Sequence, residues 1–332
     1  MEKTVDLVFT DDIKLEFLKR FSLEPEFKKL GDFENYVYEV YKEGTPFILR
    51  VTHSSHRDKA DLLSELDWMN YLNDKGVNVP KCYLSPNNEF VETLQASDGT
   101  YFFGSLFSKA QGEPVKVNDD EKFNPKLFYA WGKTIGKMHH ETIQYTLPEN
   151  VKKRPQWDDD DLLNVEDYIS SEEQSIIKNA QELLVELKSL PKTKENYGLI
   201  HTDIHSGNFF FDGHEIHVFD FDDCSYQWFT SDIAIPVYYS VLYRYPNGNQ
   251  EERNRFGNMY LESFIEGYET EHKLPDGWKE QLPLFMRLRD VVLYAVFHKK
   301  IAPEDRNERI LALMSEIKMR VENKEAIIDV NV

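Results

Sequence analysis

Leu199-Ile200-His201-Thr202-Asp203-Ile204-His205-Ser206-Gly207-Asn208 leads into Phe209-Phe210-Phe211-Asp212-Gly213 and then Ile216-His217-Val218-Phe219-Asp220-Phe221-Asp222-Asp223. The pattern is H-x-D-x-x-x-x-N with a later D-F, set among short apolar runs that read as strands. The two apolar runs around Asp212-Gly213 predict a hairpin that returns Asp220 towards Asn208. A two-residue turn at Asp212-Gly213 would set Asn208 opposite His217. A longer turn centred near His214 would set it opposite Asp220, where adjacent strands lie ~5 Å apart; sharing of one cation favours the longer turn.

Upstream, Tyr36 to Tyr41 and Phe47 to Val51 flank Glu43-Gly44-Thr45-Pro46, a second hairpin signature. Leu62, Leu66, Met69 and Leu72 then recur at helical spacing, with Gly76 and Pro80 marking the end. Cys82 to Leu84, Phe90 to Leu94 and Tyr101 to Phe107 read as further strands, separated by turn formers. Beyond Gly112-Glu113-Pro114 the character turns helical. Asn124 is the expected N-cap, Pro125 the first helical residue, and Leu127, Trp131, Ile135 and Met138 the apolar face. Ser170 with Glu173 predicts a capping box opening a helix through Ile177, Ala180, Leu184 and Leu187, and further helices are expected over about 251–271, 279–300 and 304–323. A small mixed sheet with one main helix, followed by a larger mostly helical part, is an α+β plan.

The 332 residues are 41% hydrophobic and 14% aromatic, enough apolar material for two domains and against global disorder. Against 39 Lys+Arg stand 59 Asp+Glu, a formal net charge of -20 that repels a phosphate backbone, so nucleic acid is not an expected partner. The apolar stretch Ile233 to Tyr243, interrupted by Pro236 and Ser240, is short of the ~18 residues of a membrane span. The start Met1 to Asp6 lacks a signal-peptide apolar core. Only Cys82 and Cys224 occur, outside any C-x-x-C spacing, and a cytoplasmic location is expected.

Phosphoryl transfer needs a carboxylate facing the acceptor hydroxyl and two hard oxygen ligands holding magnesium against nucleotide phosphates. Asp203, Asn208 and Asp220 supply these groups. On these motifs the chain resembles the aminoglycoside phosphotransferase/choline kinase family, from about Phe27 to about Tyr268. The resemblance implies a two-lobed protein-kinase-like fold, with a nucleotide-binding lobe over 1–109 and a catalytic, acceptor-binding lobe over 110–332. It implies Asp203 as the catalytic carboxylate, Asn208 and Asp220 as magnesium ligands, Asp232 as a buttress of the catalytic loop and His201 as a structural member of that loop. Where protein kinases place a strand lysine and a helix glutamate, this chain offers Arg50 and Glu65. Gly31-Asp32-Phe33-Glu34-Asn35 would cover the phosphates with Gly31 alone, so nucleotide binding rests on the Arg50/Glu65 pair and the magnesium site; ATP is the expected nucleotide and GTP is left open.

Asp222 stands where D-F-G has its glycine and no A-P-E follows, which disfavours a protein substrate. The expected activity is transfer of the γ-phosphate to a hydroxyl of a small amine-bearing acceptor, such as an aminoglycoside, an amino alcohol or a homoserine-like compound, because an acidic cleft concentrates cations. The alternative is a kinase-fold protein without activity, against which the complete trio argues. Asp158 to Asp161 reads as a solvated acidic loop. Asp222 and Asp223 either recognise a cationic acceptor or cap the following turn, while His205 and His217 read as ordinary hydrogen-bonding residues.

Overall fold

The computed structural model describes residues 3–246 and 248–332. It divides into two compact units, one made of the residues up to Gln111 with Tyr145–Arg154 and His217–Asp222, the other of Gly112–Gln144, Pro155–Ile216 and Asp223–Val332.

The first unit opens with α1 (Lys3–Val8) and α2 (Asp11–Arg20), two helices that the apolar periodicity does not predict. Thr10 caps α2 through its hydroxyl, with Asp11 and Asp12 in the first turn where the helix dipole favours them. Strands β1 (Phe27–Gly31), β2 (Tyr36–Lys42) and β3 (Thr45–His53) follow, then α3 (Lys59–Asp74), β4 (Cys82–Tyr83), β5 (Glu92–Gln95) and β6 (Tyr101–Ser108). They form a sheet in the order β1-β2-β3-β6-β4 with β5 also on β6. Its pairs are antiparallel where a mixed sheet was expected. The β2–β3 turn is tighter than the sequence suggested: Lys42 pairs with Thr45, and Glu43 and Gly44 take φ of 52° and 72°. Two left-handed residues in succession make the hairpin turn whose twist matches its strands, and Gly44 adopts it without strain. Phe17 and Leu18 of α2 join Tyr36, Val40, Leu49, Val51 and Phe102 in one buried cluster. Asp58 caps α3, and the helix buries Leu62, Leu66, Met69 and Leu72 as its spacing predicts.

In the second unit α4 (Pro125–Thr142) begins where Asn124 and Pro125 place it, the Asn124 side chain accepting from Lys126 and Leu127. The Ser170 capping box does not form: α5 spans Gln174–Lys188, the Ser170 hydroxyl accepts from Glu172, and Glu173 is drawn to Tyr294 and Lys318 instead. A charge pair with Lys318 at 2.7 Å outcompetes a local cap. Strand β7 (Tyr197–Ile200) pairs with β10 (Ser225–Trp228). The ribbon β8 (Phe209–Phe211) and β9 (Ile216–Val218) turns over Gly213 and His214, since the Asp212 amide donates to the Glu215 carbonyl at 3.2 Å. That turn lies between the two considered from sequence; Asp212 Oδ1 fixes it by accepting from the amides of His214 and Glu215.

Helices α6 (Phe229–Arg244), α7 (Gln250–Glu269), α8 (Trp278–Lys300) and α9 (Glu308–Asn323) complete this unit. The apolar stretch with Pro236 lies inside α6, buried from Phe229 to Leu242. Helices α4 and α7 meet backbone to backbone: a Cβ on Gly132 would stand 1.8 Å from the Phe264 carbonyl oxygen, and one on Gly267 2.0 Å from that of Tyr129. No helix among the described residues is long and apolar enough to cross a membrane.

Candidate active site

Strand β7 ends at Ile200, and the loop 201–208 carries the motif before β8 begins. His201 is buried there. Asp232, in the first turn of α6, accepts the backbone N–H groups of His201 at 3.1 Å and Thr202 at 2.8 Å, and His139 Nε2 lies 3.5 Å from the same carboxylate. Thr202 has φ of 70°, a conformation costly for a β-branched side chain, and the Asp232 contact holds it there. The Thr202 hydroxyl donates to the Asp223 carbonyl at 2.9 Å.

Within this loop the Asn208 amide nitrogen donates to the Asp203 carbonyl at 2.9 Å and to Asp203 Oδ2 at 3.1 Å. With the nitrogen so engaged, the Asn208 amide oxygen is the atom that can ligate a hard cation. His205 Nε2 lies 3.5 Å from the same Oδ2. Burial, with Arg289 and His201 adding to it, pushes the His205 pKa down to about 4, so this histidine is neutral at pH 7.

On the other oxygen, Arg289 Nη2 from α8 lies 3.7 Å from Asp203 Oδ1 and donates to the Tyr239 hydroxyl. The guanidinium sits 5.2 Å from the Tyr239 ring centroid. Burial opposes its charge, but Tyr239 and Asp203 outweigh that and hold the pKa above the usual arginine value. Tyr243 stacks on Tyr239 with centroids 5.5 Å apart and is 39% exposed. Arg289 and Tyr239 were missed in the sequence, because one aromatic and one arginine inside long helices carry no local signal.

The first unit carries the other predicted residues. Arg50 on β3 and Glu65 on α3 are both buried and meet fork to fork, Nη1 to Oε1 at 2.7 Å and Nη2 to Oε2 at 2.6 Å. Burial opposes the Arg50 charge and Glu65 restores it, so its pKa stands above the ordinary value. Gly31 ends β1 at a register shift, and a Cβ there would meet nothing within 4 Å, so packing alone does not require glycine. Asp220 has φ of 69°, a second strained residue in the motif. Asp222 is buried and neither caps a turn nor stands open to an acceptor. His56 Nε2 lies 2.5 Å from its Oδ2, Arg57 Nε donates to Oδ1 at 3.4 Å, and Arg154 donates to its carbonyl at 2.5 Å. Burial alone would raise the Asp222 pKa; His56, Arg57 and Arg50 lower it far below the carboxylate range, while Asp222 overcomes the burial of His56 and raises that pKa.

The sequence matches the phosphotransferase enzyme family (APH) over residues 27–276, and the chain belongs to that family. It is 34% identical to a Bacillus subtilis (strain 168) protein named amicoumacin kinase, over 294 residues that make up 89% of this chain and 86% of the relative. A solved amicoumacin kinase, hAmiN in complex with AMP-PNP, Ca2+ and Ami, superposes with a TM-score of 0.92 at 32% identity, covering 100% of this chain and 98% of the other. A microcompartment-associated aminopropanol kinase shares the fold with a TM-score of 0.76 at 22% identity, covering 95% and 98%. The chain is thus a small-molecule kinase with the kinase-type α+β fold.

Proposed function

We propose that this kinase transfers the γ-phosphate of ATP, with magnesium, to a hydroxyl of a small amine-bearing molecule, GTP being the alternative donor. The observation that carries the reading is the loop 201–208, where Asn208 holds Asp203 and Asp232 holds the backbone. Asp203 orients the acceptor hydroxyl and takes its proton. Asn208 and Asp220 are the proposed magnesium ligands, and an amide oxygen with a carboxylate suits a hard cation. Bound magnesium would neutralise charge on the nucleotide phosphates. Arg50, Glu65 and the segment from Gly31 form the nucleotide side in residues 1–109, and residues 110–332 supply catalysis and acceptor binding. Because Glu65 takes both terminal nitrogens of Arg50, the pair acts as one fixed unit whose effect on phosphates is electrostatic.

The AMP-PNP and Ca2+ held by the solved amicoumacin kinase support a nucleotide and a divalent cation here. The relative named for amicoumacin supports an acceptor of that kind, and the net charge of -20 supports a cationic one. Two buried cysteines, with no disulfide between them among the described residues, suit a reducing cytoplasm. The test is magnesium-dependent ADP release with amicoumacin, homoserine, choline, methylthioribose and aminoglycosides, with ATP and GTP in parallel. At least one hydroxyl-bearing amine should stimulate release; silence across the panel would overturn the proposal.

A further inference from the structure

The catalytic carboxylate has two unlike sides. Asn208 and His205 face Oδ2, the side assigned above to metal and nucleotide. Arg289 faces Oδ1, backed by Tyr239 and by Tyr243 stacked on it. Among the described residues Arg289 makes a single hydrogen bond, to the Tyr239 hydroxyl, and its Nε is buried with no partner. A guanidinium has five donors in a planar fork that matches carboxylate and carbonyl oxygens. Its 3.7 Å approach to Asp203 is an ion pair longer than a hydrogen bond. A half-buried cation with an enclosed, unpartnered Nε and an exposed edge, on the side of Asp203 away from Asn208, is placed to receive an oxygen that comes with the acceptor.

We infer that Arg289 is a specificity-determining residue: the acceptor carries a carboxylate or carboxamide oxygen close to the hydroxyl it presents to Asp203, and Arg289 binds that oxygen. This rests on the phosphotransfer reading above and narrows it. An amine alone at this position would meet the guanidinium charge, so any ammonium group of the acceptor lies further out. Asp160, which caps the turn at Leu162, lies close enough to feel the Arg289 charge and is the acid proposed for that end.

The test uses the full chain and acceptor sets that share one carbon skeleton: 3-aminopropan-1-ol with homoserine and homoserine amide, and ethanolamine with serine and serine amide. Wild type should favour the carboxylate or carboxamide member of a set by about 10²-fold in kcat/KM, since a site built to bind an oxygen rejects the analogue lacking it. Arg289→Met should narrow that gap to under about threefold, the change residing in the KM of the oxygen-bearing member. Arg289→Lys should restore part of it, as a point charge without the fork. If Arg289→Met does not fold, Tyr239→Phe, which removes the hydroxyl holding the guanidinium, gives the same readout. Wild type indifferent to the oxygen, or taking other hydroxyl compounds but no member of either set, would overturn this inference alone. So would an Arg289→Met that lowers kcat on all members alike with KM unmoved. A wild type that releases no ADP with any hydroxyl compound would overturn the phosphotransfer reading and this inference together.

Discussion

The Asp232 carboxylate accepts the backbone N–H of Thr202 at 2.8 Å, on a residue whose φ of 70° the loop would not hold unaided. The same carboxylate takes the His201 N–H, so one side chain of α6 fixes the residues immediately before Asp203. Replacement by alanine leaves these amides without acceptors, at about 1–3 kcal/mol for each buried group. Asp232→Ala should lower the melting temperature and kcat together. An unchanged melt with full turnover would contradict the role.

Asp203→Asn keeps the size of the side chain and removes its basicity. Turnover should fall by about 10²–10⁴-fold, the range of general-base contributions. Nucleotide affinity, measured by calorimetry, should stay within a few-fold of wild type. Equal turnover would remove the assignment.

Arg50→Met would strand the Glu65 charge in a buried site, which destabilises by about 3–5 kcal/mol. Arg50→Lys should recover part of this, because a lysine cannot make the two-pronged contact. The double variant Arg50→Met with Glu65→Met should be more stable than Arg50→Met alone, since no unpaired charge remains. Urea unfolding of the three variants reads this directly.

Acid should weaken the fold in a defined window. Burial pushes both His205 and His272 down to about 4, with Arg289 and His201 adding to it on the first and His139 and His140 on the second. In the unfolded chain they titrate near ~6.5. As pH falls below that value the unfolded state binds protons that the folded state refuses, so stability is lost progressively down to about pH 4. Melting temperature should drop over that range, and His272→Gln should flatten the slope. His56 runs oppositely: its raised pKa contributes stability that is lost as pH rises through that value.

Gly132→Ala would place a methyl group 1.8 Å from the Phe264 carbonyl oxygen. The gain in helix propensity, about 1 kcal/mol, is outweighed by forcing α4 and α7 apart, a cost of about 3 kcal/mol or more. Expression with a sharply lower melting temperature is expected, and a wild-type melt would count against the close approach.

Local patterns showed the sequence-readable part of the fold. The spacing of Leu62, Leu66, Met69 and Leu72, and the Asn124-Pro125 start of α4, are determined by neighbours in the chain, and the structure follows them. The Ser170 cap failed because Glu173 answers to Lys318 and Tyr294, far along the sequence. Helix α2 went unread because its short length hid the apolar period, although Thr10 caps it and Asp11 and Asp12 occupy its first turn. In the candidate site, the motif spacing brings Asn208 onto Asp203, and the strand–helix pattern brings Arg50 onto Glu65. The His56–Asp222 and Arg289–Asp203 contacts arise from tertiary placement alone, for which one sequence holds no spacing rule.

Helix α6 carries Asp232 near its start and Tyr239 two turns later, and its core residues are sealed from solvent. At 1.5 Å per residue those two side chains stand about 10 Å apart along a single rod. That rod is a gauge: it sets how far the clamp on the reacting loop stands from the wall behind Arg289. A change that shifts the helix moves both ends at once, so Asp232 under the loop and Tyr239 behind Arg289 are displaced together.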